Sequence, residues 1–93
     1  MPTIRQQMID LLGRETLGAK DLSQMLGIRE KEVYPHLGHI ARSVAARKAK
    51  LDVVPPRCLS CGFTFDSRKR YTRPGRCPHC RGQRIEEPRY RIR

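Results

Sequence analysis

Apolar residues recur at helical spacing through the first half of the chain, then give way to a cationic stretch broken by cysteine, proline and glycine. Ile4, Met8 and Leu11 fall three and four apart, which predicts a first helix from Pro2 to about Leu12, closed by Gly13 with Arg14 just beyond. Glu15-Thr16-Leu17-Gly18 reads as a connector. Leu22, Met25 and Leu26 mark a short second helix from about Ala19 to Gly27, where glycine suits a tight turn. The third helix is the longest. Val33, Leu37, Ile40 and Val44 stand at i, i+4, i+7 and i+11, one narrow stripe that must face a core. Glu30 and Glu32 at its start suit the partial positive charge of unpaired N–H groups.

Pro35 conflicts with that start. In the second turn of a helix a proline opposes the carbonyl four residues back, here Lys31. Either the helix begins near Tyr34, with proline at the favoured first position, or it is kinked. Leu51-Asp52-Val53-Val54 then takes on strand character and Pro55-Pro56 ends it. A short helix, a glycine turn and a longer helix describe a helix-turn-helix unit, and a following strand makes it a winged variant. Gln83 to Glu87 and Arg89 to Arg93 read as two more strands, the last alternating charged and apolar residues. The expected fold is α+β: a winged helix-turn-helix domain over residues 1–54 and a β zinc ribbon over residues 55–93, packed as one unit.

The ribbon follows from the cysteines. Cys58-Leu59-Ser60-Cys61 and Cys77-Pro78-His79-Cys80 are C-x-x-C knuckles separated by fifteen residues, each presenting two thiolates to one ion. Four protein ligands leave no open position for water or substrate, so the expected Zn²⁺ is structural. Iron in a rubredoxin-like site is the second choice, since sulfur tetrahedra hold both metals. Gly62 follows the first knuckle directly, whereas Arg81 precedes Gly82 after the second, which predicts a looser turn there. His79 is expected to face solvent. Of Phe63 and Phe65, one is expected to cover the zinc hairpin and the other to pack on the helices.

Charge narrows the partners. The 93-residue chain has a formal net charge of +11, of which residues 1–54 carry +3 and residues 55–93 carry +8. This balance favours polyanions, with double-stranded DNA first and an acidic protein surface second. No apolar run is long enough to span a membrane, the N-terminus carries no signal-peptide pattern, and thiols at metal spacing suit a reducing cytoplasm.

Several segments together carry a resemblance: Lys31 to Leu37, His39-Ile40-Ala41-Arg42-Ser43, Leu51 to Cys58, Cys61-Gly62-Phe63-Thr64-Phe65 and Arg76-Cys77-Pro78-His79-Cys80. The chain resembles small prokaryotic predicted transcriptional regulators that join a helix-turn-helix domain to a C-terminal zinc ribbon. The resemblance runs from about Thr3 to Arg93 and implies a winged helix-turn-helix, a zinc ribbon and a regulatory role.

Projected at about 100° per residue, the third helix turns Gly38, His39, Arg42, Ala46 and Ala49 away from its apolar stripe. Arg42 is placed to read guanine, His39 a base or phosphate, and Arg47, Lys48 and Lys50 phosphates near the helix end. The same small residues suit a homodimer contact. Arg68, Lys69, Arg70 and Arg73, clustered around Tyr71, are the second candidate contact with nucleic acid. A different class of function is an adaptor whose ribbon binds a transcription-machinery protein or an RNA-containing assembly. Enzymatic activity is not expected: His36, His39 and His79 are scattered, and neither a nucleophile–base pair nor a phosphate-binding glycine loop can be named.

Overall fold

A computed structural model describes residues 3–66 and 70–93. Three helices come first: α1 (Ile4–Arg14), α2 (Ala19–Leu26) and α3 (Glu30–Ala45). Three short strands, β1 (Leu17–Gly18), β2 (Leu51–Val54) and β3 (Arg89–Ile92), form one antiparallel sheet in the order β1-β3-β2.

Local chemistry explains most boundaries. Thr3 caps α1, its hydroxyl accepting the Gln6 N–H at 3.1 Å. Gly13 does not end this helix: α1 continues to Arg14 and stops at Glu15, which is extended. The expected connector also changes character, because Leu17 and Gly18 pair with β3. Asp21 caps α2 from within by accepting the Gly18 N–H at 3.0 Å, and Glu32 does the same for α3 with Arg29. Gly27, at φ +68°, turns the chain between α2 and α3 while Gly27 and Ile28 both donate to the Ser23 carbonyl.

Pro35 is tolerated inside α3. The helix starts at Glu30 with Arg29 as its cap, so neither a late start at Tyr34 nor a break is needed. Lys31 and Pro35 are both exposed, which leaves the unpaired Lys31 carbonyl on the watered side. At its other end α3 closes in a left-handed turn at Lys48 (φ +63°), with Ala49 N–H on the Val44 carbonyl and Lys48 N–H on that of Ala45. Ala46 and Ala49 therefore lie beyond the helix rather than on its outer face.

The four stripe residues of α3 are all buried, with Met8, Leu12, Ala19, Leu22 and Tyr90, in the main core. Among the described residues, Tyr90 is the one buried member of this core from residues 55–93. Its strand is the middle one of the sheet, so the chain leaves the helical unit after Val54, builds the ribbon, and returns to complete the sheet it left. β3, within residues 55–93, thus pairs with two strands of residues 1–54. A second, smaller core of Cys58, Phe65, Cys77 and Ile85 lies in the ribbon. Gln83 to Glu87 contributes only an isolated bridge, Ile85 with Cys58, and forms no named strand.

The two halves are also joined by Tyr71. Its ring meets Tyr90 edge-on at 6.1 Å, and the Tyr90 hydroxyl donates to the Tyr71 carbonyl. Tyr71 thus packs rather than standing free to stack on a base. Nearby, the Tyr34 hydroxyl donates to Glu30 at 3.1 Å, and burial together with that carboxylate pushes the phenol up to about 12.

Candidate metal centre and exposed helix face

Each knuckle is a tight turn closed by the same pair of backbone bonds. In the first, Gly62 N–H donates to the Cys58 carbonyl and Cys58 N–H to that of Phe63. In the second, Arg81 N–H donates to the Cys77 carbonyl and Cys77 N–H to that of Gly82. Both turns require a left-handed residue: Gly62 at φ +81° and Arg81 at φ +61°. The second knuckle is not looser, as its sequence suggested; Arg81 takes the strained conformation that glycine supplies in the first. Ile85 bridges to Cys58, and Leu59 and Glu86 donate to the carbonyls of Arg84 and Arg57, which ties the knuckles together.

The four sulfurs converge. All lie within 4.8 Å of one another, with Cys58–Cys80 at 3.5 Å and Cys61–Cys77 at 3.6 Å. A tetrahedron with Zn–S bonds of about 2.3 Å has edges of about 3.8 Å, so the cluster already has the dimensions of a zinc site. Backbone donors suit it to thiolates: the Cys61 and Ser60 N–H groups hold the Cys58 thiol down at about 6. For Cys61 the Phe63 N–H pulls down, but desolvation and the adjoining sulfurs win and push it up to about 12; Cys80 is raised in the same contest. One thiolate forms readily here, and all four together need a dication between them. The four cysteines hold a single zinc ion, and their completed sulfur shell makes it structural.

Among the rings, Phe65 is buried in the ribbon core, Phe63 lies edge-on to it at 5.1 Å, and His79 stacks on Phe63 at 6.2 Å. His79 is exposed, as expected, whereas neither phenylalanine belongs to the helical core. Leu59 (56% exposed) and Phe63 (36%) leave an apolar spot on the first knuckle.

At Gly62 a Cβ would meet nothing within 4 Å, so replacing it carries only a conformational penalty. Gly62→Ala is expected to cost about 1 kcal/mol and to weaken zinc about five-fold in competition with a chelator. Arg81→Gly should change the affinity in the opposite direction. Equal affinities in all three proteins would show that the left-handed turns carry no strain.

The proposed nucleic-acid residues are placed unevenly. His39 and Arg42 are exposed together on the outer face of α3, with Arg42 Nη2 3.4 Å from His39 Nδ1. Arg5 of α1 joins them, donating to His36 Nδ1 at 3.2 Å. The Arg5 charge, then partial desolvation and the Arg42 charge, hold the His39 imidazole below the usual histidine range. Arg5 escaped the sequence reading because it stands 31 positions from His36. Arg47 lines a recess between the start of α1 and the end of α3, and Lys48 and Lys50 are exposed beyond that end. Arg70 and Arg73 are exposed in the inter-knuckle segment, while Arg68 and Lys69 lie outside the described residues. No helix among the described residues is long and apolar enough to cross a membrane.

Comparison with known proteins adds a family. A model described as the N-terminal domain of PF0610-like proteins matches residues 3–51, and one described as the PF0610 rubredoxin-like zinc β-ribbon domain matches residues 55–93. The solution NMR structure of protein PF0610 from Pyrococcus furiosus is similar at 29% identity, covering 97% of this chain and 88% of that one, with a TM-score of 0.81. No curated protein matches the chain.

Proposed function

Since the chain belongs to the PF0610-like family, with its N-terminal domain and its rubredoxin-like zinc ribbon in sequence, we propose that it is a DNA-binding regulator of transcription built on a winged helix-turn-helix. In this reading α2, the Gly27 turn and α3 are the helix-turn-helix, β2 and β3 are the wing, and the zinc ribbon stands where a wing loop would be. The observation that carries it is the division of α3 into two faces: Val33, Leu37, Ile40 and Val44 wholly inward, and His39 and Arg42 outward beside Arg5.

Chemistry supports the roles. The exposed Arg42 guanidinium, whose one side-chain contact is to His39, suits the O6 and N7 acceptors of guanine in a major groove. Arg5 and Arg47 between α1 and α3, and Lys48 and Lys50 beyond the end of α3, add charges suited to phosphates. The working location on this reading is the cytoplasm, and the protein has no catalytic step.

The test is parallel selection from a random duplex library with the zinc-loaded protein and its Arg42→Ala variant. The expected result is an enriched motif containing a guanine whose preference disappears in the variant, at a loss of about 1–3 kcal/mol on the selected site. A motif unchanged by Arg42→Ala would remove this residue from base readout.

A second reading is favoured by a separate observation, the exposed Leu59 and Phe63 beside His79 on the ribbon. There the ribbon docks on a transcription-machinery protein or a ribonucleoprotein. Co-purification of such an assembly that survives nuclease and is lost in Leu59→Ser/Phe63→Ser would support that reading over DNA binding. A homodimer through α3 competes with DNA for the same face, and the adjoining charges of Arg42 and Arg5 disfavour it through like-charge repulsion.

A further inference from the structure

The outward face of the sheet is cationic to a degree that folding does not require. β3 exposes Arg89 and Arg91, buries Tyr90, half-buries Ile92 and is followed by exposed Arg93. The register carries this face onto β2, where Asp52 stands opposite Arg91, and Lys50 exchanges two backbone hydrogen bonds with Arg93. Across β2 and β3 four cations therefore share the face with one carboxylate, and Asp52 is taken by an ion pair to Arg93; at the β1 edge the carboxylates of Glu87 and Asp21 lie beside Gly18, the partner of Arg89. Among the described residues, the side chains of Arg89 and Arg91 have no hydrogen-bond or ion-pair partner. Arg14, at the end of α1, meets Arg91 and Arg93 across a recess of about 250 Å³ whose lining holds one acid, Glu15.

Arginines at alternate positions of a middle strand repel one another and contribute nothing to the core beneath, where threonine or valine would serve the strand better. We infer that this arginine ladder binds the phosphate backbone of nucleic acid, as a contact additional to α3; the inference rests on the DNA-binding reading above. Guanidinium groups grip phosphate through paired N–H donors. From Arg89 to Arg93 the strand rises about 13 Å, over which one strand of a duplex advances about four phosphates. With Asp52 neutralised by Arg93, the face retains Arg89, Arg91 and Lys50 for an anion, and Arg14 extends it at one edge.

The ladder is tested by the salt dependence of binding to a short mixed-sequence duplex, measured by fluorescence anisotropy on zinc-loaded protein. For Arg89→Gln/Arg91→Gln the slope of log affinity against log salt should fall by about 2, at about 0.9 per lost phosphate contact. Arg89→Lys/Arg91→Lys should restore it. Arg76→Gln/Arg84→Gln, which removes the same charge from elsewhere on the ribbon half, should leave the slope near that of the wild type. Zinc content and thermal melts check folding, and if the glutamine pair loses either, Arg91→Gln alone should still lower the slope by about 1. Wild-type binding with an unchanged slope in the glutamine variants, or an equal fall in the Arg76/Arg84 variant, would overturn the ladder while leaving DNA binding by α3 intact. Absence of wild-type binding would overturn the DNA-binding reading and the ladder with it.

Discussion

Stripping zinc with a chelator is expected to unfold the ribbon and also to loosen the helical half, which contains none of the metal ligands. Structural zinc in small modules contributes an apparent 10–16 kcal/mol of binding energy at pH 7, and that energy is folding energy. Among the described residues the ribbon core offers Phe65 and Ile85 besides two cysteines, far too little to hold it without metal. The consequence for the helices comes through topology. β3 follows the ribbon and is the middle strand, so with the ribbon unfolded its pairing must close a flexible loop of roughly 35 residues, at about 3 kcal/mol beyond a constant term. Against total stabilities of about 5–15 kcal/mol this is a large share. The helical circular-dichroism signal should persist in the metal-free protein but melt roughly 12–24 °C lower. Amides of β3 should exchange with solvent far faster than those of α3. A metal-free protein whose helices melt at the same temperature would show that β3 is not needed by the helical half.

Tyr90→Ala is expected to be the most damaging single substitution that touches no ligand. Tyr90 is fully buried, stands between Leu17 and Val53 in the sheet, and meets Tyr71 edge-on. Truncating an aromatic side chain in such a position costs about 3–5 kcal/mol, and here it also leaves the Tyr71 carbonyl without its donor. Tyr90→Phe keeps the ring and removes only that hydrogen bond, worth about 1 kcal/mol. Thermal melts in excess zinc should therefore separate the two by at least about 10 °C. Melts that coincide would mean that the hydroxyl, not the buried ring, accounts for the contribution.

What the sequence made legible was what depends on near neighbours. The stripe Val33-Leu37-Ile40-Val44 and the Gly27 turn were readable because helical period and left-handed glycine are local properties. The metal centre was readable for the same reason, two short knuckles each with its own geometry. Its symmetry was less so, since Arg81 adopts a glycine-like conformation that its identity disfavours. Pro35 misled because the penalty of a proline depends on whether the freed carbonyl meets water, which is a matter of tertiary placement. The role of β3 was invisible in principle. Its alternation identified a half-exposed strand, but nothing within Arg89 to Arg93 says that its partners are Leu17-Gly18 and Leu51 to Val54. The same applies to Arg5 beside His36, and to Tyr71, whose basic neighbours left stacking on a base and packing both open while its ring is committed to Tyr90.

Whether α3 and the sheet face, rather than the zinc knuckles, meet DNA is read from amide chemical-shift mapping of the zinc-loaded protein titrated with the selected duplex. The expected shifts concentrate at Gly38 to Arg42, at Lys48 to Lys50 and along Arg89 to Arg93, with Leu59 and Phe63 unmoved. Shifts confined to the knuckles around Leu59, Phe63 and His79, or no shifts at any duplex concentration, would contradict it.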